Sequence, residues 1–269
     1  MLRADAPQRV TSSEMTVILY FERGMQNLDL YLDNQDKIAG FVVTTYTPPE
    51  KPEPQTTAPQ TNTAPAPAPS VPDKQLTELL LPFKGTWVVS AGGEEKEDAA
   101  RNGILEQRYA YEFSALSEAG ARYKNKGTAK EDYASFGKEI LAPADGIVVD
   151  AIDGIPDNEP GKRNAYALIG NAVFLQHPSG EVSVFAYLKQ GSIKVKIGDK
   201  VTRGQAIAQC GSSGGATEPM LHYHLQSTLS LLTARQVKFY FEHATILIDA
   251  KQTIKDLYLP VKNDVVVGE

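Results

Sequence analysis

Nine prolines fall between Pro48 and Pro72, in a stretch otherwise made mostly of Ala, Thr and Gln. Each proline fixes φ and removes a backbone donor, so a run this dense can enter neither a helix interior nor a sheet ladder. With almost nothing apolar to bury, it favours extended polyproline II and behaves as a semi-rigid spacer. The chain is thereby divided into residues 1–46, a linker over 47–73, and a larger part over 74–269.

The two flanking parts read as β-structure. In the first, MTVILYFE, NLDLYLD and KIAGFVVTTY alternate or are β-branched and are separated by Arg23-Gly24 and by Asn34-Gln35-Asp36, which predicts three strands between Met15 and Tyr46. A three-stranded meander is marginal alone and needs a cover. The second part predicts a strand over Gly85–Val89, then Tyr109–Ala115, Glu139–Leu141, Gly146–Ile152, Ala172–His177, Val182–Tyr187, Ala206–Cys210, Leu221–Gln226 and Val237–Phe241. The charged stretch Glu94–Arg101 reads as a loop or short helix. Short strands between Gly, Pro and Asp turns imply an antiparallel barrel or sandwich.

The formal net charge of −6 argues against a nucleic-acid-binding surface, which needs clustered Lys and Arg. No window approaches the ~18 consecutive apolar residues of a membrane helix. The N-terminus MLRADAPQRV shows no apolar core of a secretory signal. Cys210 is the single cysteine, in an apolar context (AIAQCG) that predicts a small buried hydrophobe.

Three segments carry a resemblance: LAPADGIVVDAIDG (Leu141–Gly154), KQGSIKVKIGDKVTRGQAIAQCGSSG (Lys189–Gly214) and EPMLHYHLQ (Glu218–Gln226). In order and spacing they resemble the lysostaphin/LytM-type zinc metallopeptidases, which cleave peptidoglycan. The turns at Gly198-Asp199 and Gly204-Gln205 also occur in lipoyl and biotinyl carriers, but no Met-Lys pair of a carrier is present. The resemblance implies an all-β, antiparallel hybrid β-sandwich of the duplicated hybrid motif type. The N-terminal meander resembles the end of a small α+β element found ahead of secreted hydrolases, which implies that the front of that element is missing from this chain.

The same resemblance assigns the site. In that family a His and an Asp four residues apart, with the second His of a His-x-His strand, hold zinc, and two further His handle the water and its proton. Those positions fall here on Arg108, Glu112, His222, Tyr187 and Met220, in that order: three for the metal, then two for the proton. Glu112 still offers oxygen. Arg108 cannot coordinate a cation, since a guanidinium stays charged and has no lone pair to give. An Arg108–Glu112 ion pair is expected in the metal's place, with Tyr187 and Met220 walling the same groove. A shifted metal set of Glu112, His222 and His224 is the competing reading, because His222 and His224 share a strand face.

Other residues read as structural. His177, before Pro178-Ser179-Gly180, is expected to be solvated, and His243 to sit at the surface or a packing boundary. Trp87 and Tyr109 are expected in the core or a groove wall. The acidic stretch Asp150–Glu159 lacks the spacing of a calcium loop and reads as a solvated insertion.

The expected function is therefore a LytM-type, non-catalytic module (a pseudoenzyme) that binds peptidoglycan or an envelope protein partner, extracytoplasmic, without nucleic acid and with no cofactor. An active zinc endopeptidase with nonstandard ligands, or a carrier or scaffold on the same sandwich, are the alternatives.

Overall fold

A computed structural model describes residues 3–4, 8–11, 14–21, 24–32, 38–45, 75–92, 109–229, 236–249 and 251–269. The chain divides into two compact units, 1–68 and 69–269. Among the described residues there is no α-helix, and every paired strand is antiparallel.

The first unit is a small sheet of β1 (Arg3–Ala4), β2 (Gln8–Thr11), β3 (Glu14–Phe21), β4 (Gly24–Leu32) and β5 (Ile38–Thr45). Its order is β1-β3-β4-β5, with β2 also pairing β3. The last three strands are those the alternation predicts. The short β1 and β2 carry too few residues to show a period.

The second unit holds β6 (Gly85–Ala91), β7 (Tyr111–Ala115), β8 (Glu139–Leu141), β9 (Gly146–Ile152), β10 (Asn171–Gln176), β11 (Val182–Leu188), β12 (Lys200–Val201), β13 (Ala206–Gln209), β14 (Leu221–Gln226), β15 (Ala244–Ile248), β16 (Lys251–Lys255) and β17 (Val265–Gly268). Ten of them form one sheet in the order β12-β9-β10-β11-β14-β7-β6-β17-β15-β16, and β8 pairs with β13 apart from it. One face of the long sheet, with Trp87, Tyr111, Phe113, Phe185, Leu221, Tyr223 and Leu225, packs against Leu79, Phe83, Ile140, Ile207, Phe239 and Phe241. Phe83 stacks on Trp87 at 4.4 Å and meets Phe113 edge-on at 5.1 Å. Cys210 is fully buried in this core.

Several expectations need correction. Val237–Phe241 is extended but is not a strand: Val237 and Phe239 point into the core, and Phe241 makes isolated bridges to Leu79 and Tyr258. The period-two pattern there reports burial rather than a ladder. His177 is buried, not solvated. Its Nδ1 lies 2.8 Å from the Asp145 carbonyl oxygen and its Nε2 lies 2.7 Å from Ser183 Oγ, which in turn meets Tyr223 Oη at 2.8 Å. The 177–180 turn folds the ring inward, where burial lowers its pKa, opposed by the bond to the Asp145 carbonyl. The stretch 150–159 is half-buried to exposed, as a solvated insertion would be, and is also tied down. Asp157 Oδ1 accepts the Ser212 N–H at 2.8 Å and Asp153 Oδ1 accepts the Gly191 N–H at 2.8 Å, so these carboxylates fasten the segment to the body. His243 is exposed and paired with Asp256. Trp87 lies in the core and Tyr109 is half-buried. The stretch Glu94–Arg101 lies outside the described residues.

Candidate metal and binding site

The second face of the long sheet carries the residues of interest, and strand register places them. His222 on β14 stands opposite Glu112 on β7 and opposite Ala186 on β11, and His224 stands opposite Val184. Side chains two apart share a face, so His222, His224 and Gln226 form one column. The residues between them, Leu221, Tyr223 and Leu225, point the other way into the aromatic core. Around the column an apolar cluster gathers Ala172, Phe174, Val184, Ala186, Tyr187, Ala216 and Met220. Both faces of β11 and β14 are thus covered, which explains the almost unbroken apolar sequence VSVFAYL.

The column is a chain of hydrogen-bonding groups. His222 Nε2 lies 3.2 Å from His224 Nδ1, and His224 Nε2 lies 3.1 Å from Gln226 Oε1. Gln226 Nε2 donates to the Thr228 carbonyl at 2.7 Å. His222 Nδ1 is buried and has no hydrogen-bond partner. Burial holds both imidazoles neutral at ordinary pH. It drives His222 down to about 3, with the neighbouring His224 pushing the same way, and His224 down to about 4 against the opposing bond to Gln226.

Tyr187 closes one side, its ring 5.2 Å from that of His222. It sits at φ 63, a region that bulky side chains seldom adopt. Its carbonyl accepts the Gly211 N–H at 3.2 Å, and a Cβ at position 211 would come within 2.3 Å of Lys189 N, so the local backbone is tightly constrained. The Tyr187 phenol is raised well above the usual tyrosine range, first by burial and then by the Glu112 carboxylate, with Arg163 acting against both. A second margin of this face is fixed by Arg122. It forms an ion pair with Glu218 and donates to Ser114 Oγ at 3.2 Å, two residues along β7 from Glu112.

Of the residues singled out in the sequence, the structure brings Glu112, His222, His224, Tyr187 and Met220 to one side of the sheet, and Arg108 lies outside the described residues, so its expected pairing with Glu112 does too. Gln226, Arg122 and Glu218 border the same face, and sequence reasoning does not single them out. A polar residue at every second position from His222 to Gln226 is the one signal available for Gln226. Nothing local in the sequence ties Arg122 to Glu218.

Residues 126–232 match the sequence model of peptidase family M23. Over that stretch the chain is similar to the M23 peptidases. The chain is 39% identical over 90 residues to the peptidoglycan DD-endopeptidase ShyA of Vibrio cholerae, a stretch covering 34% of this chain and 18% of ShyA. It is 35% identical over 95 residues to the murein hydrolase activator EnvC of Escherichia coli, covering 35% of this chain and 19% of EnvC. Over 114 residues it is 26% identical to the cell division protein DipM of Caulobacter vibrioides, covering 42% of this chain and 16% of DipM. The matched stretch is thus under a fifth of each relative. Among solved structures, the M23 metalloprotease pseudoalterin from the deep sea aligns over 68% of this chain and 99% of its own, at 14% identity and TM-score 0.41. The catalytic domain of lysostaphin from Staphylococcus simulans aligns over 57% and 88%, at 22% identity and TM-score 0.34.

The M23 family is typically zinc-dependent, and a hydrolytic zinc needs three protein ligands and an open position. The described residues show no such set. Among the described residues no group of three or more His, Cys, Asp or Glu is placed to hold a metal ion. The physical reason lies in the column: His222 Nε2 and His224 Nδ1 are turned on each other, and His224 Nε2 is held by Gln226. Arg108, at the first ligand position of the resemblance, has no lone pair to offer.

Proposed function

We propose that this M23-like domain is non-hydrolytic and acts as a binding or regulatory module of the cell envelope, outside the cytoplasm, with peptidoglycan or an envelope protein as its partner. The observation that carries this reading is the donor set. By the resemblance, Glu112 and His222 are the two metal-binding side chains left at the positions that the zinc peptidases use, and the positions of the proton-handling histidines fall on Tyr187 and Met220, a phenol and a thioether that are both buried. A phenol whose pKa is pushed upward makes a poor base at neutral pH, and a thioether cannot move a proton at all. What persists is the sheet face itself, with His222, His224 and Gln226 set in an apolar wall. The relative named as a murein hydrolase activator gives this reading a parallel. Among the described residues no helix is long and apolar enough to cross a membrane.

The test is digestion of purified peptidoglycan sacculi by the full chain, run beside a sedimentation assay with the same sacculi. No soluble peptide is expected from the first, at any zinc concentration, and retention on sacculi or on an added envelope hydrolase is expected from the second. Release of cross-link peptides by the unaltered chain would contradict the proposal and favour the zinc endopeptidase reading, for which ShyA is the parallel.

A further inference from the structure

Strand β16 ends the ten-stranded sheet, so one of its two hydrogen-bonding sides meets no further strand among the described residues. All five of its residues, Lys251–Lys255, are exposed. It leaves β15 through a tight turn: Ile248 pairs with Lys251, and Asp249 takes φ 50, the left-handed region that such hairpin turns use. The register then runs from Ile248↔Lys251 to Ala244↔Lys255 without a shift, and β16 contains no proline. Prolines and bulges are devices by which edges resist strand addition, and lysines are another. This edge has the lysines alone, Lys251 and Lys255.

Lysines by themselves fit an edge that is simply protected. The apolar side chains around them do not. Ile248 is 47% exposed, Ile254 66% and Leu257 63%, three large aliphatic groups within ten residues. Alternation places Lys251, Thr253 and Lys255 on one face of the strand and Gln252 and Ile254 on the other. Neither lysine is in an ion pair with a described residue. Asp256, next along the chain, is taken by His243, and Lys255 Nζ lies over the Tyr258 ring, 5.0 Å from its centroid. Asp249, in the turn, is the one acid within the hairpin itself.

These charges select the occupant. A second copy, pairing β16 with β16 antiparallel about Thr253, would set each Lys251 opposite a Lys255, and like charges directly opposed destabilise a ladder. A strand with carboxylates at alternate positions reverses the sign of those contacts, and its intervening apolar residues meet Ile254. We propose that β16 is a docking edge for a partner protein, which adds an extended strand of alternating acidic and apolar residues with its carboxylates on Lys251 and Lys255. Strands β7, β6, β17 and β15 separate β16 from β14. The edge is therefore distinct from the His222 face, and its role does not depend on whether that face hydrolyses anything.

The probe is the peptide Ac-Glu-Val-Glu-Val-Glu-Val-Glu-NH2, titrated into the full chain. Saturable binding is expected, weakening as salt rises, with slower amide hydrogen exchange within Lys251–Lys255. Replacing both lysines, Lys251→Glu with Lys255→Glu, should weaken this peptide about tenfold, since two attractive cross-strand pairs become repulsive. The same variant should instead take up Ac-Lys-Val-Lys-Val-Lys-Val-Lys-NH2. The peptide Ac-Glu-Pro-Glu-Pro-Glu-Pro-Glu-NH2 carries the same charge but cannot join a ladder, and it should not bind. No saturable binding, equal binding of the proline peptide, unslowed exchange in β16 or unchanged affinity in the double variant would each overturn the proposal. None of these outcomes bears on the digestion of sacculi.

Discussion

If, as proposed, Met220 and Tyr187 stand where proton transfer would need imidazoles, restoring one of them changes little. Met220→His alone is expected to give no cleavage of peptidoglycan, because Arg108 and Tyr187 still deny a ligand and a base. Arg108→His, Glu112→Asp, Tyr187→His and Met220→His together should at least bind zinc, measured by competition with a chromogenic chelator. The buried imidazoles make a second prediction. Their folded pKa values, about 3 for His222 and about 4 for His224, lie below the ~6.5 of a free imidazole. Between those limits the unfolded chain binds more protons, so the stability they contribute is complete above about pH 6.5 and is lost as pH falls. The slope is up to about 1.4 kcal/mol per pH unit for each ring. Urea midpoints should fall steeply from pH 7 to pH 5, with a shallower fall in His224→Gln, and a flat profile would contradict the neutral column. At this scale the sequence is legible in part. It locates His222, Glu112 and Met220, because period-two spacing and motif order fix strand positions. It misses the inward His177 and the Gln226 end of the column, because both depend on what lies across the sheet.

At the scale of elements, long alternating segments are legible and short or exposed ones are not. Strands β7, β9, β10, β11 and β14 follow from runs that must bury at least one face. Lys251–Lys255 is exposed along its whole length, and Lys200–Val201 has two residues, so neither leaves a burial period to read. The segment before Gly85 depends on a contact that sequence could not offer. Glu181, itself buried, accepts the N–H groups of Leu76 at 2.9 Å and Thr77 at 2.8 Å, and Gln75 receives the Tyr240 N–H at 2.7 Å. The Glu181 bonds fasten the first residues of the body, 104 and 105 positions away in sequence from their acceptor. Glu181→Ala should therefore cost about 2–3 kcal/mol, since two donors lose a charged acceptor and one of them is buried. The drop in the urea midpoint should be accompanied by faster amide exchange at Thr77. Unchanged exchange there would show that the apolar anchors Leu79 and Leu81 hold the segment without it.

Over the whole molecule, the proline-rich stretch is the clearest message of the sequence, and the two compact units lie on either side of residues 68 and 69. Brief digestion with a protease of broad specificity should cut first between residues 47 and 72 and leave a resistant fragment starting near residue 73. A first cut within 141–226 would contradict that organisation. The central claim is the proposal that this M23-like domain holds no hydrolytic metal. It is tested most directly by the zinc-to-protein ratio of the full chain after saturation with zinc and exhaustive dialysis, measured by elemental analysis. The account predicts far less than one zinc per molecule. A ratio of one that survives dialysis, and that is lost in His222→Leu, would contradict it.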